Sequence, residues 1–74
     1  MDWSGCDAVE RVPGKVSGQW IVKGTRVLAD GIVDNADTGY TAEQIAGEVY
    51  DGLPLDLVKE ILAHARKQRA AHPA

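Results

Sequence analysis

The sequence predicts a mainly α domain, a three-helix helix-turn-helix-like unit preceded by a short N-terminal β-hairpin element. Three observations carry that prediction. Apolar residues beyond position 28 recur at helical spacing. Gly and Pro cluster in the first third, around short β-branched pieces. The pattern Thr41-x-x-Gln44, a capping box, stands at the head of one apolar stripe. With 74 residues the chain reads as one domain, 1–74, divided into a β-rich element at 1–28 and a three-helix bundle at 29–71.

In the first element, Val9 to Val12 alternates Val-Glu-Arg-Val, and Trp20-Ile21-Val22 is a compact apolar run. Val27-Leu28 follows Gly24-Thr25-Arg26. Short runs bounded by Gly and Pro read as strands, so a hairpin is expected from Trp20 to Leu28 with Gly24 at its turn. A lone hairpin is barely stable in water and must pack on something.

The helices follow. Leu28, Ile32, Val33 and Ala36 share one face of a helix near 29–38, and Gly39 is placed to cap its end. Ala42, Ile45, Ala46, Val49 and Tyr50 form the stripe of a second helix near 42–50. Gly52 and Pro54 punctuate a turn, and Leu55 opens a third helix to about residue 71, with Leu57, Val58, Ile61, Leu62 and Ala65 facing inward. The second and third helices around that turn make a helix-turn-helix candidate.

Seventeen Ile, Leu or Val residues, two Trp and no Phe suffice for one modest core. A domain of this size buries only about 60% of its unfolded surface, which leaves no room for an internal substrate cavity. No run approaches a membrane-spanning length, and residues 1–4 have neither the basic region nor the apolar run of a signal peptide. A single cysteine, Cys6, excludes an internal disulfide framework and fits a reducing cytoplasm.

Charge is segregated along the chain. Residues 1–26 carry four basic and three acidic side chains, net +1; residues 27–58 carry seven acidic and no basic ones, net −7; residues 59–74 carry four basic and one acidic, net +3. The acidic middle repels nucleic acid, whereas the basic C-terminal segment attracts phosphate or an acidic partner. The bland reading is a set of solvated helix faces, with the basic side chains complementing the dipole of their helix.

The run Pro13-Gly14-Lys15-Val16-Ser17-Gly18, followed by Val22-Lys23-Gly24-Thr25-Arg26-Val27, resembles the signature of a family of small prokaryotic proteins, the domain of unknown function 433 family. Gly39-Tyr40-Thr41-Ala42-Glu43-Gln44-Ile45 is similar to that family's Gly-x-Ser/Thr-x-Glu-Glu-Ile element, and Leu53-Pro54-Leu55 with Val58, Ile61, Leu62 and Ala65 to its closing helix. Asp2-Trp3-Ser4-Gly5-Cys6 resembles one branch of the family. The resemblance runs from about residue 2 to 68. It implies a helix-turn-helix-like domain with an N-terminal β element and, for many members, the role of a VapB-type antitoxin encoded beside a PIN-like nuclease toxin. Trp20, Leu28, Asp7 and Asp51 stand where many members have proline, which frees backbone donors at strand and turn positions.

Among candidate sites, Gly24-Thr25-Arg26 offers backbone N–H groups and a guanidinium to a phosphate. It lacks the further glycines, following Lys and helix start of a phosphate loop, so a strand turn with Arg26 paired to a carboxylate is favoured. Cys6, His64 and His72 are too scattered for a metal site, and no metal or cofactor is expected. Asp30, Asp34 and Asp37 share a helix face, but without a partnering Lys they read as solvated. Ser4 and Cys6 have no base arrangement, so the chain is not expected to be an enzyme.

The leading expectation is therefore an interaction module, the antitoxin partner of a PIN-like nuclease toxin. A DNA-binding autorepressor is the alternative, with Lys59, Arg66, Lys67 and Arg69 touching operator phosphates and Lys23 and Arg26 as further contacts. A purely structural homodimer is a third. Whatever the function, a homodimer or larger assembly is expected, because short strands leave edges that a second copy can pair; Trp20, Val9 and Val12 are the residues expected at or near that interface, and capping the core is the equal alternative for Trp20.

Overall fold

A computed structural model describes residues 1–71. Strands β1 (Val9–Glu10) and β2 (Ile21–Val22) lead into helices α1 (Ala29–Thr38), α2 (Ala42–Gln44) and α3 (Leu55–Ala71). A 3-10 turn at Val16–Gly18 interrupts the loop between the strands, and α2 continues as a π-helical turn over Ile45–Val49. The domain is thus mainly helical with a short antiparallel N-terminal sheet, as the patterning predicts.

The strand pairing differs from the expected hairpin. β1 and β2 pair antiparallel with Val9 opposite Val22 and Glu10 opposite Ile21. The segment after Gly24 contributes a single bridge, Ile21 to Leu28, rather than a second strand. The turn itself forms as expected: Thr25 N–H donates to the Val22 carbonyl at 2.9 Å, and Val22 N–H to the Val27 carbonyl at 2.8 Å. Gly24 makes it possible with φ of 79°, which costs glycine nothing. Pairing stops there because the chain swings into α1 at once, with the Ala29 N–H held by the Trp20 carbonyl. β2 is therefore flanked by β1 on one side and by the bridge to Leu28 on the other. Val12 lies beyond the ladder, in the turn that reverses the chain before β2.

Helix α1 buries Ala29, Ile32 and Val33 and ends at Gly39, whose φ of 116° lets its N–H close back on the Ala36 carbonyl. The capping box forms on α2. Gln44 N–H donates to Thr41 Oγ1 at 3.1 Å, and Thr41 N–H to Gln44 Oε1 at 2.9 Å. The helix expected over 42–50 relaxes after one turn into π geometry, closed by the Tyr50 N–H on the Ile45 carbonyl at 3.0 Å. The wider turn keeps Ile45 and Ala46 buried and leaves Tyr50 half-buried against the core.

Helix α3 buries Val58, Ile61 and Ala65, spaced for one face. It packs on α1 and on α2, and the core lies between them and the sheet. Trp3, Ile21, Ile32, Ile45, Ile61, Val22 and Val58 are the largest fully buried side chains. Trp3 shows that the N-terminal segment is part of the core and not a tail.

Candidate functional site

The turn at Gly24-Thr25-Arg26 follows β2 directly. Its Gly24 N–H donates to Glu10 Oε2 at 2.7 Å, so the backbone donor that a phosphate would need already holds a carboxylate of the chain. Thr25 Oγ1 donates to the Val22 carbonyl and accepts from the Val27 N–H, closing the turn internally. Arg26 is exposed and makes no ion pair among the described residues, so the expected carboxylate partner is Glu10 on the glycine rather than a partner on Arg26.

The basic residues of α3 divide into two kinds. Arg69 forms a two-pronged pair with Asp37, Nη1 to Oδ1 and Nη2 to Oδ2 both at 2.8 Å, which ties the last turns of α3 to the end of α1. Those hydrogen bonds hold the Asp37 carboxyl below its ordinary range and the Arg69 guanidinium above its own. Lys59 lies 3.9 Å from Glu43, with both side chains well exposed. Arg66 and Lys67 are exposed and make no ion pair among the described residues. Of four candidate phosphate contacts on α3, one is thus bound into the fold, one lies beside a carboxylate, and two stand free.

The expected interface residues are similarly dispersed. Val9 is buried in the chain's own core opposite Val22, so its side chain offers nothing to a second copy. Val12 is half-buried. Trp20 is half-buried against the core, and the Arg11 guanidinium carbon lies 5.0 Å from the centre of its ring. The question of whether Trp20 caps the core or offers itself to a partner thus has a mixed answer, because one part of the ring packs inward and Arg11 covers another.

The carboxylates of α1 do not converge. Asp30 Oδ1 accepts from the Trp3 indole N–H at 2.9 Å, Asp37 is engaged by Arg69, and Asp34 faces solvent. No group of three or more His, Cys, Asp or Glu side chains forms a metal-binding cluster among the described residues. His72 lies outside the described residues.

Sequence reasoning missed the arrangement at the N-terminus. Trp3 is 2% exposed and stacks on His64, with ring centres 5.3 Å apart and planes inclined by 24°. His64 Nε2 bonds the Asp2 carbonyl at 2.6 Å, and the Ser4 hydroxyl and amide both donate to the Asp2 carboxylate. The Ser4 bonds, more than nearby His64, hold that carboxyl below its ordinary range. The signal available was the block Asp2-Trp3-Ser4-Gly5-Cys6 together with a histidine beside the apolar stripe of the last helix.

A family model described as "Protein of unknown function (DUF433)" matches residues 9–65, which is more than half of the chain. The chain belongs to this family. No curated protein and no solved structure matches it. The matched residues begin at β1, so Trp3 and Cys6, both in the core, lie before the matched part of the chain. No helix among the described residues is long and apolar enough to cross a membrane.

Proposed function

We propose that this DUF433 protein is an interaction module of the antitoxin kind, which binds and neutralises a PIN-like nuclease through its acidic helices. The supporting observation is a set of four exposed carboxylates, Asp34, Glu48, Asp51 and Asp56, that make no ion pair among the described residues. They lie on α1, on the π turn, in the turn that follows it and at the start of α3, where no basic residue interrupts residues 27–58. Carboxylates left without internal partners complement the cationic surface of a nucleic-acid-cleaving enzyme, and such complementarity raises association rates and selects partners.

Co-expression with the adjacent open reading frame tests this reading, which expects that frame to encode a PIN-like nuclease. A stable complex and loss of nuclease activity at equimolar protein are expected. Neutralising the four carboxylates as Asp34→Asn, Glu48→Gln, Asp51→Asn and Asp56→Asn should slow association by roughly tenfold or more at low salt. A nuclease that stays fully active in excess of this protein would overturn the reading.

A second reading, a DNA-binding autorepressor, draws on Arg66 and Lys67, the two α3 cations that stand free. Asp56 and Glu60 accompany them on the same helix, where they repel phosphate.

A further inference from the structure

We propose that the N-terminal β element, rather than α3, is the surface that contacts nucleic acid, and that its ligand is the phosphate backbone of duplex DNA. This rests on the DNA-binding reading above and relocates its contacts.

Four cations project from this element: Arg11, Lys15, Lys23 and Arg26. Arg11, Lys23 and Arg26 are exposed and Lys15 is half-exposed, and none makes an ion pair among the described residues. The carboxylate within the ladder, Glu10, is turned onto the Gly24 N–H at 2.7 Å. On α3, by contrast, Arg69 is held by Asp37, and Lys59 lies beside Glu43. Four cations without an ion-pair partner thus stand on the β element against two, Arg66 and Lys67, on α3; the carboxylates of Glu10 and the exposed Asp7 keep their charge beside the four.

The ladder sets the spacing. Lys15 sits in the turn after β1, and Lys23 and Arg26 sit in the turn after β2, at the other end of a two-residue ladder. Arg11, at the same end of the ladder as Lys15, is pre-organised, because its guanidinium lies over the Trp20 ring at 5.0 Å. A guanidinium on an aromatic face stays charged, is weakly hydrated and loses little freedom on meeting phosphate.

The occupant follows from what the face lacks. Among the described residues the exposed large apolar side chains are Met1, Tyr40 and Leu55, none of them on the two strands or in the turns that follow them. An acidic protein partner would need an apolar anchor at the centre of its interface. Single-stranded nucleic acid would need a free aromatic platform, but Trp20 is packed against the core and covered by Arg11. Contacts to the phosphates of a duplex require neither.

The experiment is fluorescence anisotropy with a labelled DNA duplex, titrated across salt concentrations. Four phosphate contacts predict a slope of log K against log salt of about −3.6, a loss of roughly a hundredfold between 50 and 200 mM salt. Replacing Arg11, Lys15, Lys23 and Arg26 together by Gln should abolish binding. Lys23→Gln with Arg26→Gln alone, at side chains that make no hydrogen bond or ion pair among the described residues, should make the slope shallower by about 1.8 without disturbing the fold. Arg66→Gln with Lys67→Gln should change affinity by less than about threefold. Circular dichroism and melting of each variant exclude unfolding as the cause. If the α3 pair abolishes binding while the β-element variants retain it, this inference fails and the autorepressor reading stands. If the unsubstituted protein binds no duplex at low salt, both fail. Binding of polyglutamate in preference to duplex would also overturn the inference and assign the face to an acidic protein.

Discussion

Trp3 is the residue on which the largest single effect is expected. It is buried, stacks on His64 and donates to Asp30, so it joins the N-terminal segment to both α1 and α3. Trp3→Ala should cost about 3–5 kcal/mol, a large part of the stability of so small a domain. Urea unfolding reads this directly, and a loss below about 1 kcal/mol would show that the segment is not part of the cooperative core. A second prediction concerns Gly31, inside α1. A Cβ at that position would stand 2.8 Å from Tyr50 Oη, whereas the next ring atom, Cζ, is at 3.9 Å. Gly31→Ala should therefore destabilise by about 1–3 kcal/mol through overpacking, partly offset by the better helix propensity of Ala. With Tyr50→Phe already in place the clash is gone, and the same change should stabilise by about 0.5–1 kcal/mol. Tyr50 Oη also accepts from Asn35 Nδ2 at 3.3 Å; Tyr50→Phe removes that longer bond, while the other Nδ2 hydrogen keeps its 2.8 Å bond to the Gly31 carbonyl. A double-mutant cycle that shows the two changes to be additive would contradict the geometry.

Among the elements, α1 and α3 are fastened at their C-terminal ends by Asp37 and Arg69. The Asp37 carboxyl is held below its ordinary value of 3.8 by the Arg69 hydrogen bonds. A carboxyl with a depressed folded-state pKa stabilises the fold at pH above its unfolded value, and that contribution disappears as pH falls through the folded value. Asp37→Asn should therefore lower the melting temperature at neutral pH, and its difference from the unsubstituted protein should close in acid below about pH 4. A gap that persists unchanged to about pH 2 would mean that the carboxylate charge is not what holds the two helices. Elements of this kind were largely legible beforehand. The stripe Val58, Ile61, Ala65 and the capping box at Thr41 are local patterns, and local patterns survive folding. The pairing of β1 with β2 was not legible, because Val9 and Val22 are joined across a turn whose left-handed residues include Val16 and Ser17, at φ of 50° and 55°. A β-branched residue in that conformation is strained and has no sequence signature. Trp3 was missed for a related reason, since its partners are 27 and 61 residues away and no periodicity connects them. The candidate site was legible in composition only: the counts of basic residues are readable, but which of them the fold neutralises depends on contacts such as Arg69 to Asp37.

At the scale of the whole molecule, the surface bears on self-association. The solvent-accessible area is 4658 Å², against roughly 4,400 Å² for a compact monomer of this mass. The chain therefore exposes about as much surface as a self-sufficient monomer. The N-terminal segment contributes to this by bringing Trp3, Cys6 and Ala8 into the interior. A stable homodimer needs roughly 800 Å² from each copy, with an apolar centre. Val9 is already interior, Trp20 is half-buried under Arg11, and Tyr40 and Leu55 are separate exposed side chains on different elements. What remains for a second copy is the outer edge of β1, two residues long, which supports only a short ladder. Self-association of the isolated chain should accordingly be weak, with a dissociation constant above about 10 µM, a regime in which a few polar contacts barely exceed the cost of association. Sedimentation velocity across that concentration range checks this. A single species of twice the chain mass at the lowest concentrations would show that the β1 edge, or a rearrangement of the Trp20 loop, makes an interface that the monomer's surface does not display.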